Sequence, residues 1–147
     1  MSKVKKHTEN NKISRTAVKR GGNCPQIPAF SFAYLTANNI FNLNYFTDTN
    51  DKKAAIENIF ERLLEICQND WKYWHALPRE QGVEMISVGG INLTPSKKRL
   101  MPDEKVIIFR MKGYAGKSAR ILGIREEGCP ILYIIGFDFN FSAYNHG

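Results

Sequence analysis

The chain has 147 residues, 43% of them hydrophobic, and a formal net charge of +7. That suffices for one globular domain with an ordinary core, and no run of 18 apolar residues offers a transmembrane helix. Cys24, Cys67 and Cys129 are widely spaced, odd in number and free of any CxxC, which argues against a disulfide scaffold or a structural zinc site. The expectation is an intracellular, cytoplasmic protein with no membrane partner, because the basic N-terminus is not followed by an apolar signal-type segment; the cysteine spacing offers no metal site, and no cofactor is expected.

Taken in chain order, residues 1–28 read as a basic leader. Lys, Asn, Ser and Thr dominate, large apolar residues are nearly missing, and Gly21-Gly22-Asn23-Cys24-Pro25 closes the stretch. Such a segment buries too little to offset its ordering entropy. It is either a solvated tail or an arm that clasps RNA or a partner protein.

The folded part is expected to span 29–147. Phe30, Phe32 and Tyr34 alternate with Ser31 and Ala33, as in a strand with one apolar face. The Asn- and aromatic-rich stretch 38–50 fits no element. Asp48 or Asn50 then caps a helix over about 51–68, with Ile56, Ile59, Phe60, Leu63, Leu64 and Cys67 as its apolar stripe. A short second helix follows, capped by Asn69 or Asp70, carrying Trp71, Trp74 and Leu77 and ended by Pro78. Strands are expected over 83–88, 105–112, 119–125 and 131–139, the last three joined by connections short enough for antiparallel hairpins. The order β-α-α-β-β-β-β predicts an α+β domain: a helical hairpin packed on a mainly antiparallel sheet, with the 56/59/60/63 stripe against Phe109 and its neighbours.

Charge is unevenly spread along this order. Residues 1–20 carry seven cations against Glu9 alone, and residues 97–125 carry nine against Asp103 and Glu104. The second block sits on strands. Period-2 alternation puts Val106, Ile108, Arg110 and Lys112 on one face and Ile107, Phe109 and Met111 on the other; on the next strand Arg120, Leu122 and Ile124 share a face. Two readings stay open. In one, Arg110, Lys112, Lys117, Arg120 and Arg125 are solvated residues on a wet sheet face. In the other they grip phosphate, for which the planar guanidinium is suited by its bidentate geometry and permanent charge. Lys97, Lys98, Arg99, Lys117 and Arg125 would then extend an RNA-binding surface.

Proton chemistry has two terminal candidates, Tyr144 and His146, since cleavage at a 2′-hydroxyl needs groups that give and take protons near neutral pH. A frayed terminus is the plain alternative. Asp138 reads equally as a turn residue or a site carboxylate. His75, Trp71 and Trp74 read as structural, with Trp71, Tyr73 and Trp74 the alternative base-stacking set.

The segments FRMKG (109–113), SARILGI (118–124) and ILYIIGFDFNFSAYNHG (131–147), in this element order, resemble the RelE/ParE-like toxins of bacterial toxin–antitoxin systems. The resemblance implies a metal-independent endoribonuclease that cuts messenger RNA in the ribosomal decoding site by 2′-hydroxyl attack. It also implies a small antitoxin protein as partner. Carried over by position, Arg110 and Lys112 resemble the central-strand cations, Arg120 the phosphate-clamping arginine, and Tyr144 or His146 the terminal proton-transfer residue. The chain departs from the family in its length, its basic leader and the stretch 38–50. ParE-like members keep the fold while acting on gyrase, so a non-enzymatic nucleic-acid- or protein-binding module is the alternative.

Overall fold

The computed structural model describes residues 26–145. Most of the expected leader therefore lies outside the described residues, as does His146. Residues 26–28, grouped with the leader by composition, belong to the fold: the Gln26 carbonyl accepts from the Trp71 backbone N–H at 3.0 Å, and the Gln26 amide donates to the Gly128 carbonyl at 2.7 Å.

The architecture is α+β. Five strands, β1 (Ala29–Ser31), β2 (Val83–Ser87), β3 (Lys105–Lys112), β4 (Ser118–Ile124) and β5 (Ile131–Asp138), form one open sheet in the order β1-β5-β4-β3-β2. Strands β2 to β5 are an antiparallel meander, while β1 pairs parallel to β5, so the sheet is mixed. The main helix, α1 (Thr49–Ile66), starts where the Asp48 carboxylate accepts from the Asp51 N–H at 2.9 Å. The short α2 (Trp71–Ala76) starts on Asp70, whose carboxylate accepts from the Tyr73 N–H at 2.8 Å. The turn from α2 into β2 requires Gly82, because a Cβ there would meet the Trp74 carbonyl oxygen at 2.3 Å.

The helices cover one sheet face. Ala55, Ile59 and Ile66 of α1 and Trp71 and Trp74 of α2 pack with Ile107, Phe109, Met111, Ala119, Ile121, Leu132 and Ile134. Both tryptophans are core residues with satisfied indoles: Trp71 Nε1 donates to the Pro130 carbonyl and Trp74 Nε1 to that of Ile66, each at 2.8 Å. The expected stripe is rotated. Ile59 faces the sheet, but Ile56, Phe60 and Leu64 are exposed, Phe60 at 62%. Six apolar positions span more of the helix surface than one sheet face can cover, and Ala55 and Ile66 take the inward positions.

The opposite sheet face is not wet. Irregular chain covers it: Phe41, Leu93, Ala143 and Tyr144 pack on Val106, Ile108, Leu122, Ile124 and Ile135. The unplaced stretch supplies part of this cover through the 3-10 turn Asn39–Phe41, while a second turn, Leu43–Tyr45, packs with the helix-side core; the side chains of Asn38 and Asn42 cap them. Among the described residues, no helix is long and apolar enough to cross a membrane.

Candidate functional site

β3 outruns β2. The register begins at Val83 opposite Phe109, so β3 has no strand partner on that side from Arg110 onward. Helix α1 occupies the open edge instead. Arg62 Nε donates to the Arg110 carbonyl at 2.9 Å, and the Asn58 amide donates to the Gly113 carbonyl at 2.8 Å. Arg62 is itself fixed, its guanidinium lying 5.3 Å from the Trp74 ring centroid and ion-paired with Glu65 at 3.3 Å. A cavity of about 690 Å³ opens beside this edge, and Arg62, Arg110, Lys112, Arg120, Trp74 and Phe141 are among its lining residues.

Arg110 and Arg120 are direct cross-strand partners, and Arg120 is in turn the partner of Asp138 on β5. Partners across antiparallel strands point to the same face, so these three side chains form one row on the face opposite the helices. Glu84, opposite Ile108, adds a carboxylate on that face from β2. Like charges directly opposite each other destabilise a sheet. Here two arginines occupy such a pair and both are only half-exposed. The Nε of Arg110 is buried and has no hydrogen-bond partner among the described residues. A charge pairing that costs stability at a cavity wall is a local violation expected where a site is built.

The chain after β5 locks Arg120 in place. Asp138 is fully buried and its carboxylate accepts from the backbone N–H groups of Ser142 and Ala143, at 3.0 and 3.2 Å. This tight turn carries Phe141 and Tyr144 back over the sheet, and their ring centroids lie 4.5 and 5.3 Å from the Arg120 guanidinium carbon. Tyr144 also bridges to Ile91, and its hydroxyl meets Glu84 Oε2 at 3.3 Å. Burial, with the neighbouring Glu84 carboxylate adding to it, pushes the Tyr144 phenol up to about 12. The phenol is thus protonated at neutral pH and donates to Glu84, and Tyr144 is not among the residues that line the cavity.

Of the remaining expected cations, only Lys112 shares the cavity lining with Arg110 and Arg120. Lys112 is exposed at the end of β3, and Lys117, also exposed, lies on the adjoining turn with its ammonium 5.2 Å from the Tyr114 ring centroid. Arg125 sits beyond the other end of β4, five residues and so about 16 Å along the strand from Arg120. It turns to the helix side, where its guanidinium lies 4.5 Å from the Trp71 ring centroid and donates to Gln26 and the Cys129 carbonyl. Lys98 pairs with Glu104 at 3.3 Å and lines a hollow together with Arg125, so the 97–99 run is at that distant end as well. One continuous basic surface from Lys97 to Arg125 is therefore not formed. His75 is an exposed residue beside Trp71, its pKa lowered by partial desolvation and by Arg125. The Cys67 thiol donates to the Pro28 carbonyl at 3.4 Å and is raised by burial.

Arg62, Glu84 and Phe141 belong to the site and are missing from the sequence expectations. For Phe141 a local signal exists: Asp138, Asn140 and Ser142 alternate with aromatics just past an apolar strand, a composition that favours side-chain-capped turns. No family model, curated protein or solved structure matches this chain.

Proposed function

We propose that this chain is a metal-independent endoribonuclease of the RelE/ParE-like toxin type, acting on messenger RNA at the ribosome and controlled by a small antitoxin protein. The observation that carries this reading is the Arg110–Arg120 cross-strand pair at the wall of the 690 Å³ cavity, with Lys112 in the same lining. Two guanidiniums held side by side by backbone pairing suit the non-bridging oxygens of one phosphodiester, and they stabilise the charge that grows on it in the transition state. The 2′-oxygen attacks phosphorus, its proton passing to solvent with Lys112 assisting from the cavity lining, and the bond to the 5′-oxygen breaks. His146, two residues beyond Tyr144 in sequence, is the candidate to protonate that oxygen. Tyr144 serves as a positioning residue, its ring 5.3 Å from the Arg120 guanidinium carbon. Because the nucleophile belongs to the RNA, products end in 2′,3′-cyclic phosphate, DNA is inert and chelators have no effect.

The test offers translating ribosomes to the protein and maps cuts on the message, with and without chelator. Arg120→Ala is expected to lower the rate by roughly 10²–10³, the loss typical of one transition-state donor. Cleavage that survives the Arg110→Ala/Arg120→Ala double substitution defeats the reading.

A second reading, a protein-directed binding module, is favoured by one feature: a wholly apolar groove of about 530 Å³ between β1 and α1, flanked by the exposed Ile56, Phe60 and Leu64. Growth arrest by a folded protein that cuts no RNA would select it.

A further inference from the structure

Phe141 breaks two rules of an ordinary turn. Its φ is +57°, a left-handed conformation that bulky side chains rarely adopt, and 40% of its surface is exposed although it is large and apolar. The turn is forced on it by the two N–H groups that Asp138 gathers, at Ser142 and Ala143. Strain of this kind persists only where the surroundings over-determine it, and it concentrates at ligand sites. Holding Arg120 does not explain it, because Tyr144 already supplies a buried ring 5.3 Å from the same guanidinium. What the strained turn adds is an aromatic ring at the cavity lining, stacked 4.5 Å from a cation that would hold phosphate.

An aromatic face beside a phosphate-binding arginine is the arrangement that takes an unpaired nucleotide, since every base has a face to stack and a paired base cannot reach the ring. We infer that Phe141 is a stacking platform for a nucleobase adjacent to the phosphate held by Arg110 and Arg120, so that the site takes single-stranded RNA with one base turned out of the strand. This rests on the proposed RNA reading of the cavity and narrows its substrate. Tyr73 also lines the cavity and is 43% exposed, but it lies on α2 rather than over the arginine row.

The experiment measures binding of a fluorescent ten-nucleotide RNA by anisotropy. A series of the same oligonucleotide carries one abasic position moved along the strand, and a fully paired duplex is compared. Phe141→Ala is expected to weaken binding of the intact strand on the order of tenfold, the usual effect of losing one base–aromatic stack. It should have little further effect on the oligonucleotide whose abasic site removes the stacked base. Phe141→Trp should restore binding. Phe141→Gly should bind like the alanine variant while keeping or raising the melting temperature, because glycine adopts this φ without strain. Arg120→Ala should weaken every ligand, abasic ones included. Equal losses for Phe141→Ala on intact and abasic strands, or duplex binding as tight as single-strand binding, would overturn the stacking platform while leaving the phosphate site standing. A wild-type protein that binds no RNA at low salt overturns the functional reading, and this inference with it.

Discussion

The two faces of the sheet are covered by different kinds of chain, and they have different chemistry as a result. Against the helices, every inward position along β3 and β4 is apolar, from Ile107 through Phe109 and Met111 to Ala119 and Ile121. Irregular chain lies on the other face, which is apolar only part of the way: Val106 and Ile108 give way to Arg110, and Ile124 and Leu122 to Arg120, as the strands approach the cavity. A helix satisfies its own backbone groups and covers the sheet interior with an apolar stripe, reaching β3 with polar side chains only at the open edge, through Asn58 and Arg62. A turn such as 138–143 brings its own N–H groups, rings and carboxylate, and can surround buried charge with them. Helix cover gives stability, and loop cover makes room for a charged site.

That contrast breaks most easily at Phe109. It is fully buried, lies 6.0 Å from Trp71 and 5.8 Å from Trp74 between ring centroids, and belongs to the helix-covered face. Phe109→Ala is expected to lower unfolding free energy by about 3–5 kcal/mol, as for other large-to-small core changes. Urea denaturation followed by tryptophan fluorescence measures it. A loss below about 1 kcal/mol would mean that the helices are not the principal cover of the sheet.

The helix-covered half was the more legible in sequence, for physical reasons. Period-2 alternation in KVIIFRMK and SARILGI assigned the strand faces correctly, and of the two cap candidates at each helix the structure uses Asp48 and Asp70, the first helix beginning at Thr49 rather than near 51. The rotation of α1 was not readable, since Ile56, Phe60 and Leu64 are as hydrophobic as the residues that face inward; their surroundings decide, and those lie far off in sequence. The cover on the second face was hidden because 34–46 and 88–104 have no period to read. At the site, alternation placed Arg110 and Arg120 on like-facing positions, but the register that makes them neighbours is set by the hairpin closed at Gly113 and Lys117. Charge counting grouped Arg125 and 97–99 with them because proximity in sequence is not proximity on a strand that runs the length of the sheet.

On the loop-covered face the Asp138 carboxylate is the keystone of the turn. Asp138→Ala removes two charge-assisted hydrogen bonds to Ser142 and Ala143 and the carboxylate opposite Arg120 on the sheet. The expected cost is about 2–3 kcal/mol, smaller than at Phe109. The RNA binding proposed for Arg120 should fall with it, since Phe141 and Tyr144 are both positioned by that turn. Retained RNA affinity in a destabilised Asp138→Ala protein would show that the turn supports the fold and not the arginine.

Tyr144 offers a smaller, pH-dependent probe of the same face. Its phenol is raised from an ordinary 10 to about 12, chiefly by burial. The folded state therefore holds this proton more tightly than the unfolded chain. Its contribution is complete below pH 10 and is lost as pH rises from about 10 to about 12. Tyr144→Phe should cost about 1 kcal/mol at neutral pH through the lost bond to Glu84, and it should flatten the alkaline fall. Denaturation curves at pH 8, 10 and 11 read both effects. An unchanged alkaline slope in the variant would place the titrating group elsewhere.

The smallest effect is expected on the outer side of α1. Phe60 is 62% exposed, and it lines the apolar groove with Ile56, Leu64 and Phe32 without belonging to the core. Truncation to alanine removes few packed neighbours and exchanges a residue of modest helix propensity for the best helix former. The change in stability should stay within about 0.5 kcal/mol, the range of surface substitutions. The pair Phe109→Ala and Phe60→Ala thus compares two phenylalanines whose difference lies in which way the helix turns. If Phe60→Ala instead costs several kcal/mol, and the cost grows with protein concentration, the groove is filled by a second copy and its residues are core in that assembly. A cost that is large at every concentration would mean that α1 sits rotated toward the stripe 56/60/64. Denaturation at two protein concentrations, tenfold apart, separates the three outcomes.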